Sequence, residues 1–136
     1  MKVTVRSIIF ALALTACALQ AAKKIQLTGA SIVPAAHGEI DVGKDHNGNT
    51  EIRMTMQHLA RPENLSPPMA TYVVWLQEKG ASADNRGQLE INNQLEASFR
   101  TVTPLKSFDV FVTAEPESTV KTPSGPEVLR ANVHRK

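Results

Sequence analysis

Residues 108–129 read FDVFVTAEPESTVKTPSGPEVL. Phe108, Val110, Val112 and Ala114 share one face at a period of two, and Asp109, Phe111 and Thr113 share the other. Pro116 has no N–H to give to a ladder and ends the pairing. Pro123-Ser124-Gly125-Pro126 then builds a return, because proline fixes φ and glycine supplies conformations that other residues avoid. The stretch predicts a strand, a long proline-marked turn and a returning strand over about 127–133.

The same grammar repeats upstream. Ile40 and Val42 alternate with Glu39 and Asp41, and Ile52, Met54 and Met56 alternate with Glu51, Arg53, Thr55 and Gln57. Between them Asp45-His46-Asn47-Gly48-Asn49 is rich in residues that accept left-handed backbone, so 39–59 reads as a hairpin with one solvated face. TYVVWLQ at 71–77 is apolar on both faces, as a strand covered on both sides requires. A weak first strand lies within 24–33, a short strand at 88–92, and another at 94–102 in which Leu95, Ala97 and Phe99 point inward. Prolines 62, 67 and 68 make 60–69 a loop without helix, and 78–87 is a polar loop.

Seven or eight short strands separated by turns predict an all-β fold, an antiparallel immunoglobulin-like β-sandwich, with a closed barrel as the alternative. Trp75 is the natural core anchor, with Phe99, Phe108 and Phe111 as expected neighbours.

The first twenty-odd residues follow different rules. Lys2 and Arg6 precede the apolar run IIFALAL at 8–14, then the small residues Thr15, Ala16 and Ala18. This is the order of an export signal, and the run is shorter than the ~20 residues a spanning helix needs. The sole cysteine, Cys17, closes it, and Leu14-Thr15-Ala16-Cys17 resembles a bacterial lipobox. That resemblance implies cleavage before Cys17 and lipidation of its sulfur. An ordinary signal cut after Ala18 is the alternative. The expected organisation is a signal peptide at 1–16, a tether at 17–24 and one β domain at 25–136. The expected location is outside the cytoplasmic membrane, on the periplasmic or extracellular face, with the membrane as a partner through the lipid anchor.

Without residues 1–16 the chain carries 13 basic and 13 acidic side chains, so no overall positive surplus invites nucleic acid. Four scattered histidines, a lone cysteine, and the absence of a Gly-x-Ser-x-Gly elbow or a glycine-rich phosphate loop name no metal, cofactor or catalytic set. The Asp45–Glu51 stretch places oxygens as calcium loops do, but its glycine stands at the fourth position rather than the sixth, which favours a hairpin turn.

Four segments in order, Tyr72-Val73-Val74-Trp75-Leu76, Gly87-Gln88-Leu89, Phe108 to Pro116 and Thr122 to Leu129, resemble the C-terminal extracytoplasmic domain of the anti-sigma-K factor family. The chain is also similar to small predicted bacterial lipoproteins of unassigned function. The resemblance covers the second half of the chain and implies an all-β extracytoplasmic domain. It does not imply anti-sigma activity, which that family places in a separate cytoplasmic helical domain, and it brings no catalytic residue. The leading expectation is a non-enzymatic cell-envelope lipoprotein whose β-sandwich is an interaction or sensor module for an envelope protein, with contacts through loops 60–69 and 78–87. The alternative is a small-ligand or carbohydrate-binding module in which an exposed Tyr72 or Trp75 stacks on a sugar face.

Overall fold

The computed structural model describes residues 23–136; the expected signal peptide, Cys17 and most of the expected tether lie outside the described residues. The pattern of inward and outward side chains is plainest in the hairpin of β2 (His37–Lys44) and β3 (Thr50–Gln57), which pair from His37 opposite Gln57 to Lys44 opposite Thr50. Ile40, Val42, Ile52, Met54 and Met56 are buried on one face. In the turn the Asp45 carboxylate accepts from the N–H groups of Asn47 (2.9 Å) and Asn49 (2.8 Å), and Gly48 takes φ of 82°. The Asp45 carboxylate, first of the oxygens that resembled a calcium loop, is thus engaged in closing a turn, and Glu51 is taken by Arg53 and Arg100.

The remaining strands are β1 (Lys23–Gly29), β4 (Thr71–Gln77), β5 (Asp84–Leu89), β6 (Ala97–Thr103), β7 (Ser107–Glu115) and β8 (Glu127–His134). All neighbours are antiparallel, in the order β5-β4-β7-β8-β1-β2-β3-β6. The fold is all-β and antiparallel, with eight strands among the described residues. Two four-stranded halves meet where β1 and β8 pair through only Thr28–Arg130 and Gly29–Leu129. At the opposite seam β5 and β6 form no ladder. Instead the Arg86 guanidinium reaches from β5 to the Thr101 hydroxyl (2.8 Å from Nη2) and the Val102 carbonyl (2.8 Å) of β6. A sandwich and a barrel differ in how far this join and this seam are closed.

Inward side chains of both halves form one core, including Leu27, Ile40, Ile52, Met54, Tyr72, Val74, Phe108, Val110, Val112, Leu129 and Val133. Fully burying an aliphatic or aromatic side chain contributes about 1.5–3 kcal/mol, so this face dominates the stability of the domain.

Several boundaries differ from the sequence-based expectation, each for a local reason. Lys23 and Lys24, the first described residues, already pair with Val42 and Asp41, so β1 includes them. β1 stops at Gly29, where the chain turns so tightly that any side chain at this position would overlap the Ala36 carbonyl oxygen. A single 3-10 turn, Pro62–Asn64, sits inside the 60–69 loop, since Pro62 occupies the first turn where its missing N–H costs nothing. β5 takes in the last four residues of the expected polar loop, 84–87; at an edge, polar side chains find partners outside the ladder, as Asn85 and Arg86 do. β6 starts at Ala97 rather than 94. The Asn92 side chain accepts from the N–H groups of Gln94 and Glu96, and Leu95 lies in this turn at φ of 62°, not inward on a strand.

Candidate functional site

Strand β4 is buried on both faces, from Thr71 to Leu76. Tyr72, Val74 and Leu76 enter the main core. Val73 and Trp75 face the other way and pack with Phe111 of β7, and Ala83 and Val120 close over them. Trp75 and Phe111 stack with ring centroids 6.4 Å apart, and the Arg130 guanidinium lies 4.3 Å above the Phe111 ring. The expected aromatic cluster is therefore divided. Phe111 is the neighbour of Trp75, whereas Phe108 sits in the main core and Phe99 packs, half-buried, against that core. Strand alternation requires the split: Phe108 and Phe111 are three residues apart and point to opposite faces.

The cover over this second face is the β7–β8 connection, residues 116–126. It is held at two points. Asn85 of β5 donates through Nδ2 to the carbonyl oxygens of Ser118 (2.9 Å) and Val120 (2.8 Å). At its root the carboxylate of Glu115, fully buried, gathers four donors: the Thr113 hydroxyl (2.7 Å), the Ser124 N–H (2.9 Å) and hydroxyl (2.6 Å), and the Gly125 N–H (3.2 Å). The chain of bonds continues inward, because Trp75 Nε1–H donates to the same Thr113 hydroxyl at 2.8 Å. Burial is the largest influence on the Glu115 carboxyl and pushes it up, but the bonds from Ser124, Thr113 and Gly125 outweigh burial and leave it below the usual glutamate value. A buried carboxylate with no cation beside it is here neutralised by dipoles alone. Gly125 is demanded by the same geometry, since a Cβ there would overlap the Ala114 carbonyl oxygen.

No family model and no curated sequence matches the chain.

What this second face can do chemically follows from its closure. Trp75 and Tyr72 are both at 0% exposure, so neither can stack on a sugar or any other ligand. The Tyr72 hydroxyl donates to the Ala60 carbonyl at 2.7 Å and pins the start of the 60–69 loop. Burial, with a smaller contribution from Glu63, pushes its pKa up to about 12. The loop is further set by Leu65, which is buried, and by the N–H groups of Leu65 and Met69, both donating to the Pro62 carbonyl. Glu63, Asn64, Ser66, Pro67 and Pro68 are left on its exposed surface.

The two loops expected to carry contacts lie at opposite ends of the domain. β4 runs from the 60–69 loop at its start to the 78–83 turn at its end, so seven residues, about 20 Å of strand, separate them. Two of the four histidines do converge: His37 and His58 lie with ring centroids 5.1 Å apart, and His37 Nδ1 is 3.2 Å from the Ala35 carbonyl oxygen. Among the described residues no third histidine, cysteine or carboxylate joins such a group, so the pair stands as a ring contact. A groove of about 270 Å³ near the 78–83 turn is lined by Gln77, Glu78, Lys79, Ser107, Asp109 and Asn132. The sequence reading missed the role of Glu115, which it took as the end of a strand. The available signal was a glutamate two residues beyond a threonine on the outward face, followed by Pro-Ser-Gly-Pro.

Proposed function

We propose that the chain is a non-enzymatic cell-envelope lipoprotein, anchored through Cys17, whose β domain presents one end to a protein partner in the envelope. The order of the leader and the position of the single cysteine support the anchor. Resemblance to the extracytoplasmic domain of the anti-sigma-K factor family supports the extracytoplasmic setting, and the all-β antiparallel fold agrees with it.

One observation carries the choice of contact surface. β1 begins at one end of the sheet, and the 60–69 loop lies at the other, next to the start of β4. An anchor preceding Lys23 would hold the first end at the membrane and present the second end outward. The 60–69 loop is shaped before any partner arrives, so binding through it would not require the loop to be ordered first. The 78–83 turn belongs to the membrane-facing end in this reading and drops out of the partner surface.

Two measurements test the reading. Intact mass of the protein recovered from membranes should show an acylated N-terminus at Cys17, and Cys17→Ser should abolish the acyl mass. A photo-crosslinker placed at Ser66 should yield a discrete adduct in envelope preparations where one placed at Ser82 does not. An unmodified N-terminus at residue 19 would remove the anchor. Equal or absent adducts at the two positions would remove the outward surface.

A further inference from the structure

The balance of 13 basic and 13 acidic side chains beyond residue 16 hides a separation between the two ends of the domain. Strand register assigns every turn to an end. Lys23 opens β1, Lys44 closes β2, Lys79 lies in the β4–β5 turn, Lys106 in the β6–β7 turn, and Arg135 and Lys136 follow β8. These six cations lie at one end. In the same turns and strand ends stand three carboxylates, Asp45, Glu78 and Asp84; the Asp45 carboxylate is turned into its own hairpin and Asp84 is paired with Arg86. Among the described residues none of the six cations forms an ion pair. Arg135 is held by neutral partners, the Thr50 hydroxyl (2.8 Å) and the Gly48 carbonyl (2.7 Å), so it is fixed in place with its charge uncompensated. At the other end the balance reverses: Glu63, Glu90, Glu96 and Glu117 stand in the connections with only Arg61 and Lys121.

We propose that the lysine-rich end is a docking surface for anionic lipid headgroups, which orients the domain upright on its membrane. The proposal deepens the anchored reading given above and rests on it for the nearness of the membrane. Residues 18–22 are all that lie between Cys17 and β1. Even fully extended they reach under about 20 Å, so an acylated Cys17 keeps this end close to the headgroups. Salt screens charges over about 8–10 Å, which makes that proximity a condition for attraction. Lysines spread one to a turn supply point charges without base-reading geometry. The Phe, Tyr and Trp side chains of the described residues are buried or half-buried, so none of them offers a stacking platform for single-stranded nucleic acid there.

The test uses the full chain carrying Cys17→Ser, which has no acyl group, and co-sedimentation with phosphatidylcholine vesicles with and without phosphatidylglycerol. The leader is common to all variants and cancels in the comparison. A basic side chain near an anionic surface is worth roughly fivefold in binding. Lys44→Gln, Lys79→Gln, Lys106→Gln and Lys136→Gln combined should therefore weaken binding to the anionic vesicles by at least ~100-fold. High salt should do the same to the parent. Arg61→Gln with Lys121→Gln, at the opposite end, should stay within about twofold. Lys23→Gln with Lys79→Gln supplies a second, milder set, and far-UV circular dichroism checks that each variant is folded. Binding that survives the four substitutions, or falls equally with both sets, overturns the proposal. So does binding to a DNA duplex with none to vesicles, which would give this end to nucleic acid. The intact-mass measurement reads the anchor alone and this assay reads the charged end alone, so either can fail without the other.

Discussion

Replacing Glu115 by glutamine should loosen the cover over Trp75 without touching the main core. The carboxylate accepts from four donors in a site with no exposure. A hydrogen bond to a charged group is worth about 1.5–3 kcal/mol, and a neutral acceptor gives roughly half of that. The glutamine amide keeps one acceptor but turns two N–H donors toward groups that are themselves donors. With its oxygen at the Oε1 position the amide still accepts from the Thr113 hydroxyl and from both N–H groups, but the Ser124 hydroxyl must turn from donating to accepting, the Gly125 N–H meets a donor where Oε2 stood, and every remaining bond weakens from charged to neutral. Removing the buried charge also removes its desolvation cost, which offsets part of the loss. The net expectation is a destabilisation of about 2 kcal/mol, or roughly 8 °C in Tm for a domain of this size. The assay is thermal unfolding followed by the emission of Trp75, the single tryptophan of the chain. Emission of the folded variant should shift to the red as water reaches the ring. Acid adds a second arm. The folded carboxyl lies below its ordinary value, so its contribution is complete above the ordinary glutamate pKa and is lost as pH falls through the depressed folded value. The gap between parent and variant should be full at neutral pH and close in that acid window. A variant that melts within about 1 °C of the parent with unchanged emission would refute the reasoning, since bonds to a charged acceptor cannot become bonds to a neutral one at so little cost.

Three further outcomes follow from the same geometry. The one tyrosine of the chain, Tyr72, should show no ionisation step in its ultraviolet absorbance near pH 10 and should titrate at about pH 12; because the folded state keeps the proton longer, stability should be complete below the unfolded value and fall as pH rises through that interval, and a step near pH 10 in the folded protein would contradict it. Gly125→Ala should cost about 3 kcal/mol or more in chemical denaturation, because the new Cβ overlaps the Ala114 carbonyl oxygen and the Glu115 network must shift to make room; a loss under about 1 kcal/mol would mean the turn can reshape freely. Arg86→Ala should cost about 1–2 kcal/mol and accelerate amide exchange in β5 and β6 more than in β2, with uniform acceleration counting against a seam held by this side chain.

The fold was legible where one face is wet and the other dry. The β2–β3 hairpin, with its Asp-x-Asn-Gly-Asn turn, was found with its facing and register direction because a one-residue slip would expose Ile52, Met54 and Met56 together. β4 was legible as doubly covered because its apolar residues occupy both faces. Alternation fails at edges, where Asn85 and Arg86 make a strand out of polar residues by bonding to neighbours distant in sequence. It fails again at Leu95, whose inward reading was overridden by the Asn92 side chain closing a turn. The cover over Trp75 was half legible. The Pro-Ser-Gly-Pro return marked its exit, but its path back across β4 depends on Asn85 and Glu115, and no local pattern announces a contact between residues 33 and 35 positions apart. The two ends of differing charge were invisible in the totals, because strand order, not sequence, collects Lys23, Lys44, Lys79 and Lys106 in one place.

The placement of β1 has a mechanical meaning. Its six residue pairs with β2 run in line with the direction in which the chain leaves at Lys23. Tension entering through the preceding residues, against a load held at the 60–69 loop, pulls along the strand and not across it. The pairs with β2 then share the force in parallel, where a strand peeled from its far end would give them up one at a time. The slender two-pair contact with β8 would contribute little to that resistance. Strength against pulling should therefore reside in the β1–β2 ladder, and a backbone amide removed there should weaken the domain under force far more than it weakens it in heat.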